Sequence, residues 1–249
     1  MNTLFVGQQH IKLEQVDSTN RYAQDMAKNG LLHEGAVISA NEQFLGKGQR
    51  GSSWQTVAGK NITLSIYLKP RFLTTQQQFL LSQCIALALY DCISHYCKTS
   101  VFIKWPNDIL INDKKAAGIL IENSIKNEAI DYSIIGIGLN INQTEFENLP
   151  QATSLQIQCE KELNIEEVTI LLCQCIEKRY LQLKKDGSSI HKAYIEHLYH
   201  FNANASYIYQ KEIISARIMD VQADGKLVLQ KENGEKLICD LKEIEFVFN

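Results

Sequence analysis

Gly46-Lys47-Gly48-Gln49-Arg50-Gly51, running through Ser52-Ser53-Trp54 to Asn61-Ile62-Thr63-Leu64-Ser65-Ile66-Tyr67-Leu68, decides what kind of sheet this chain builds. As letters, the glycine run fits G-x-G-x-x-G, which binds a dinucleotide only when it opens a helix whose N-terminal amides hold a pyrophosphate. Here residues 36–40 before it read as a strand, and residues 61–68 after it are apolar and β-branched, a second strand. No acidic residue closes a strand about twenty residues on, where Lys69-Pro70-Arg71 stands instead. The Rossmann reading fails. What remains is a glycine loop with two cations between two strands, a device for wrapping an anion.

Outward from that loop, Asp17-Ser18-Thr19-Asn20 caps a short helix over residues 21–29 that stops at Gly30. Residues 74–98 carry Phe79, Leu80, Ile85, Leu87, Leu89 and Ile93 at helical spacing, predicting a long core-facing helix. Strands are expected over 101–104, 109–111, 118–122 and 134–141, with Asn107-Asp108 and Asn112-Asp113 as turns. Two more helices are expected near 165–185 and 189–200. From about Ala205, short β runs alternate with the hairpin signals Ala223-Asp224-Gly225 and Glu232-Asn233-Gly234, a small barrel in outline. The fold class is α+β, a mostly antiparallel sheet with helices, divided at Phe201 to Asn204 into a larger domain, 1–201, and a small β module, 202–249.

The chain of 249 residues has a net charge of −3 and 45% hydrophobic residues, ordinary for a globular protein and without the basic excess of a nucleic-acid or anionic-lipid binder. No signal peptide is evident, and the apolar run 79–90 is too short to span a bilayer. Seven cysteines without a C-x-x-C pair suit reduced thiols, so a cytoplasmic location is expected. Cys173 and Cys175 face different sides of a helix and cannot share a metal. His197 and His200 read as an exposed helix face.

Four segments concentrate residues a plain core would avoid. They are Ser18-Thr19-Asn20, Gln43 to Trp54, Lys104-Trp105-Pro106-Asn107-Asp108 continuing to Lys115-Ala116-Ala117-Gly118-Ile119-Leu120, and Gly136-Ile137-Gly138-Leu139-Asn140. An ammonium and an indole at a strand end are costly as core. Gly136 and Gly138 share one strand face, where missing side chains admit a ligand or another backbone. Singly, the glycine run also reads as a hairpin connection, and Lys104 and Lys115 as surface lysines. In order and together, GKGQRGSSW, KWPND, KAAGIL and GIGLN resemble the signature of the biotin protein ligases over nearly the whole chain.

That resemblance implies a catalytic fold of the class II aminoacyl-tRNA-synthetase type followed by an SH3-like barrel. It implies ATP-dependent biotinylation of a carrier-protein lysine through biotinyl-5′-adenylate, with biotin, ATP and Mg2+ required. Lys115 and Arg50 become the catalytic candidates. Biotin would meet Ser18, Thr19, Asn20, Gln43, Gly46, Lys47, Gly48, Gln49, Lys115, Gly118 and Gly138. The nucleotide would meet Lys47, Gln49, Arg50, Trp54, Asn61, Lys104, Asn107, Asp108, Lys115 and Asn140, with Trp54 stacked on adenine and Asn140 on the adenylate. Gly136 would help shape the pocket. Gln49 departs from the family, which commonly carries arginine there to retain the adenylate. The expected partner is a biotin carboxyl carrier protein, such as a subunit of acetyl-CoA carboxylase. A homodimer through the main sheet stays open, and no metal ligand is assigned. A lipoate or octanoate ligase or transferase of the same fold is the alternative. DNA binding is not expected, because the first ligand segment starts at Ser18 with no room ahead for a helix-turn-helix.

Overall fold

In the computed structural model, which describes residues 2–248 with the Arg50 side chain excepted, two sheets are built in chain order. The first holds β1 (His10–Val16), β2 (Val37–Gln43), β3 (Asn61–Leu68), β4 (Val101–Lys104), β5 (Asp108–Ile111), β6 (Lys114–Lys126) and β7 (Ala129–Asn140). Its order is β1-β2-β3-β7-β6-β5-β4, parallel between β1 and β2 and antiparallel at every other pairing. The second holds β8 (Asn204–Tyr209), β9 (Glu212–Val221), β10 (Leu227–Lys231), β11 (Lys236–Cys239) and β12 (Ile244–Phe246), in the antiparallel order β11-β10-β9-β8-β12. The expected α+β class with mostly antiparallel strands holds.

The helices are α1 (Thr19–Lys28), α2 (Gln78–Tyr96), α3 (Leu155–Cys159), α4 (Ile165–Lys185) and α5 (Gly187–Glu196). Apolar side chains of α2 and α4 share one core with Ile62, Leu64, Ile66, Ile135, Ile137 and Leu139, which all point to one face of β3 and β7. The Arg179 guanidinium on α4 grips Asp91 of α2 with two bonds of 2.7 and 2.8 Å, fixing the helix pair. Opposite, α1 packs Ala23 over Ile38, Tyr67 and Ile134. β3 is therefore buried along its whole length. Beyond the N-terminus of α1 that second face is left to polar residues, and there the cleft opens.

The turns follow their sequence signals. Asn112 and Asp113 both take positive φ, 46° and 63°, in the tight link from β5 to β6, a conformation that asparagine and aspartate tolerate. Two expectations need correction. Ser18 sits at the N-cap of α1, yet its side chain makes no capping bond; the Thr19 N–H donates instead to Gln43 Oε1 at 2.8 Å. His197 and His200 lie beyond the end of α5, not on a helix face. They are partly buried, stacked on Tyr90 at 3.9 Å and on Tyr199 at 3.8 Å. β1 and α3 also form without having been anticipated.

Candidate active site

Strand register lays out the floor of the cleft in rows. Ser65 pairs with Gly136, which faces Leu120; one row along, Thr63 pairs with Gly138, which faces Gly118; beyond them Asn61 pairs with Asn140. Thr63 and Ser65 are 6% and 0% exposed, polar groups set into a floor rather than a surface. The N-terminus of α1 closes one end, the glycine run forms a flap, and the β4–β5 corner closes the other. The space left is about 200 Å³, below the ~300–1,000 Å³ of common ligand pockets. The indole of Trp54 occupies part of it.

At the α1 end, Asn20 Nδ2 donates to Glu122 Oε2 at 2.7 Å and Ser65 Oγ lies 2.6 Å from Asn20 Oδ1. Ser65 Oγ is also 2.8 Å from Thr19 Oγ1. A Cβ on Gly136 would stand 2.4 Å from Asn20 Oδ1, so that glycine makes room for the amide. The side chains that face the cleft here are neutral, short donors and acceptors at fixed positions, with the Glu122 carboxylate behind them.

The flap is a tight hairpin. Gly48 N–H donates to Ser52 O at 2.7 Å and Trp54 N–H to Gly46 O at 2.9 Å, with a short 3₁₀ turn at Gln49–Gly51. A Cβ on Gly46 would lie 2.4 Å from the backbone oxygen of Trp54, so that position needs glycine, whereas one on Gly48 would meet the Ser52 hydroxyl at 2.3 Å, which a rotation of that side chain can relieve. The hairpin lays the Trp54 indole against the Gly138 row, where a Cβ would come within 2.2 Å of the ring. Two buried polar atoms at this end, the Trp54 Nε1 donor and the Asn140 Oδ1 acceptor, have no partner among the described residues.

Between the ends stands a charged group. Lys115 Nζ pairs with Asp108 Oδ1 at 2.6 Å and lies 5.7 Å from the centre of the Trp54 ring. Asp108 Oδ2 faces Lys104 Nζ at 3.7 Å. Lys104 itself is half-buried under Phe246, 4.8 Å from its ring centre. Burial pushes its ammonium pKa down, Lys115 adds to that, and Asp108 opposes it. Asn107 pins the corner to β6, donating from Nδ2 to Ile119 O at 2.8 Å. Trp105 ties the same corner to the second sheet through Nε1 to Gly225 O at 2.9 Å.

Most of the sequence candidates meet here. Ser18, Thr19, Asn20, Gln43, Lys47, Gly48, Gln49, Trp54, Asn107, Asp108, Lys115, Gly118, Gly136 and Gly138 line the cleft. Gly46 serves the hairpin from outside the lining, and Lys104 stands in the neighbouring groove beneath β12. Asn61 spends its amide on Thr56, Gln143 and the Ile141 N–H, bracing the flap's return. Asn140 Nδ2 is held by Thr153 O, with Oδ1 free. Arg50's side chain lies outside the described residues. Ser52, Ser53 and Leu120 of the lining lie in the singled-out segments but were given no role, while sequence reading missed Thr63 in the lining and Ser65 and Glu122 behind it. The strict alternation along β3 was the available signal for Thr63 and Ser65.

Among the described residues no group of three or more His, Cys, Asp or Glu side chains could hold a metal. The one carboxylate lining the cleft, Asp108, already faces two ammonium groups, so the donor set does not fit a protein-held cation. Among the described residues no helix is long and apolar enough to cross a membrane.

The biotin/lipoate A/B protein ligase family matches residues 13–140. The chain is 29% identical over 244 residues to the bifunctional ligase/repressor BirA of Bacillus spizizenii, covering 96% of this chain and 74% of that protein. It is 40% identical over 133 residues to the biotin--[acetyl-CoA-carboxylase] ligase of Paracoccus denitrificans, 52% of this chain and 53% of that protein. The biotin protein ligase of Aquifex aeolicus, solved in complex with biotin and ATP, superposes with a TM-score of 0.80 at 21% identity, over 97% of this chain and 100% of that one. At that identity the likeness speaks for the fold.

Proposed function

The chain belongs to the biotin/lipoate A/B protein ligase family, and from that membership we propose that it is a biotin protein ligase. The observation that carries the reading is the cleft's division into a neutral hydrogen-bonding end and an aromatic, cationic end, with Lys115 between them. Biotin's ureido ring has N–H donors and a carbonyl acceptor, which suit Ser18, Thr19 and Gln43. A lipoyl group has an alkyl chain and a disulfide ring, and would leave those polar groups unpaired at a cost of about 1–3 kcal/mol each. That argument favours biotin over lipoate.

In the first step the biotin carboxylate attacks the α-phosphorus of ATP, a C–O–P bond forms, and pyrophosphate leaves. Two unit anions at about 4 Å repel by roughly 4 kcal/mol at an effective dielectric near 20. A positioned cation supplies a term of the same size, about 3–4 kcal/mol. Lys115 is assigned that role, held ready by Asp108. Lys47, and Arg50 from the flap, add positive charge along the phosphates. Trp54 stacks on the adenine, whose amino group complements the unpaired Asn140 Oδ1. In the second step a carrier lysine, as the free amine, attacks the acyl carbon of the mixed anhydride. An amide forms, AMP leaves, and the amine gives up a proton. Magnesium enters as the counter-ion of ATP, with no protein ligand assigned.

The reading extends to a catalytic domain over 1–201, an SH3-like module over 202–249, a biotin carboxyl carrier protein as acceptor, a cytoplasmic location and no DNA-binding role. A homodimer through the main sheet is compatible with it. The test is incubation with biotin, MgATP and a biotin carboxyl carrier domain, followed by intact mass. One biotinyl group on one lysine is expected, with no gain when lipoate replaces biotin. An unmodified carrier, or lipoyl transfer at an equal rate, overturns the proposal.

A further inference from the structure

We infer that Glu122, which does not line the cleft, is a positioning residue that sets the direction of the Thr19–Ser65–Asn20 hydrogen bonds at the biotin end. The inference deepens the biotin ligase reading and rests on it. Asn20 is 5% exposed and wedged over Gly136, and its Nδ2 donates to Glu122 Oε2 at 2.7 Å and to Leu120 O at 3.4 Å. A carboxylate only accepts, so the amide must turn its NH₂ toward Glu122 and its Oδ1 toward Ser65. The choice between the two amide orientations is thereby made by Glu122.

The consequence passes along the row. Asn20 Oδ1 cannot donate, so the single hydroxyl proton of Ser65 is committed to it across 2.6 Å. Ser65 must then accept from Thr19 Oγ1 at 2.8 Å. Were the Thr19 proton aimed instead at Gln43 Oε1, 3.2 Å away, two lone pairs would face each other across the shorter contact. Gln43 Oε1 is already engaged by the Thr19 N–H at 2.8 Å. The chain therefore runs Thr19 to Ser65 to Asn20 to Glu122, and Thr19 Oγ1 presents only lone pairs to the cleft. That is the polarity a ureido N–H needs. With an amide in place of the carboxylate, the terminal group could donate to Asn20, the amide could invert, and Thr19 could point its proton at the ligand.

Glu122→Gln keeps the volume and tests the idea directly. Biotin dissociation constants come from calorimetry, KM values for biotin and ATP from the transfer assay, and folding from thermal melts. The expected result is a rise in Kd and KM for biotin of roughly tenfold, the worth of about one hydrogen bond. The KM for ATP and kcat at saturating biotin should change less than about twofold, and Tm should hold. In a Thr19→Val background the same substitution should cost almost nothing further, because the group through which Glu122 acts is gone. Should Glu122→Gln fold poorly, Ser65→Ala cuts the chain at its middle link and should reproduce the biotin-selective loss. Wild-type affinity in both Glu122→Gln and Ser65→Ala, equal losses for biotin and ATP, or an undiminished penalty in the Thr19→Val background overturns the inference. Wild-type protein that binds no biotin overturns the functional reading, and this inference falls with it.

Discussion

The two ends of the cleft differ in how complete they are. At the Ser65–Gly136 row, Thr19, Ser65, Asn20 and Glu122 bond one another in an unbroken series. At the Gly138 row and beyond it, Trp54 Nε1 and Asn140 Oδ1 are buried without partners. An unsatisfied buried polar atom costs about 1–3 kcal/mol, so these two atoms call for a partner, whether a ligand group or an ordered water. One end is built in advance for a neutral ring. The other leaves two polar atoms for an occupant, and the element that brings Trp54 there is the glycine hairpin. The difference places the pre-formed subsite where the smaller substrate is proposed to bind, and the adjustable one where a nucleotide is.

The largest expected effect lies between the ends. Lys115→Ala should slow adenylate formation by about 10²–10³-fold in single turnover, with biotin affinity nearly unchanged, because the cation acts on the reacting charges rather than on either ring. Comparable loss of biotin binding would move Lys115 into the biotin end and blur the division. The next effects come from the paired glycines. Gly136→Ala would drive a methyl into the locked Asn20 amide, and Gly138→Ala would drive one into the Trp54 indole. Roughly tenfold rises are expected in the KM for biotin in the first and for ATP in the second. If both variants weaken both substrates equally, the two-ended description fails.

A smaller change is expected at Gln49, on the flap's turn and lining the cleft. Gln49→Arg adds a cation beside the proposed phosphates, and adenylate release should slow several-fold, about 1 kcal/mol. Equal release rates would show that the departure from arginine carries no consequence. The smallest effect belongs to neither end. His197 and His200, at the seam with the second sheet, and His10 on β1 have pKa values lowered chiefly by burial. Their folded values lie below the unfolded value of about 6.5. Stability from keeping them neutral is complete above that pH and declines as pH falls through it, because the unfolded chain takes up protons first. Melting temperatures from about pH 8 down to about pH 5 should fall less steeply in His200→Gln, with both KM values unmoved. A matching shift in either KM would tie the seam to the cleft.

Much of the cleft was legible in the sequence because its chemistry sits in short segments with strong local signals. The glycine hairpin needs Gly46 where a Cβ would meet the Trp54 backbone oxygen at 2.4 Å, and that glycine shows in the letters. What escaped notice depends on register. β3 alternates apolar and polar residues like a half-exposed strand, yet all of it is buried, because α1 and the cleft cover the polar side. Thr63 and Ser65 become part of the site only once Gly138 and Gly136 lie beside them. Glu122 has no local signal, since its importance comes from Asn20, a hundred positions earlier in the chain. Lys104 left the cleft for a different reason, being drawn under Phe246 from the far end of the sequence. β1 was hidden because an edge strand with mostly half-buried or exposed residues lacks a clear apolar pattern.

The most direct test of the two-ended cleft is exchange of labelled pyrophosphate into ATP, which requires both ends to be filled at once and Lys115 to act between them. Exchange is predicted with biotin present, none without it, and almost none in Lys115→Ala. Exchange at the same rate without biotin, or none with it, contradicts the account.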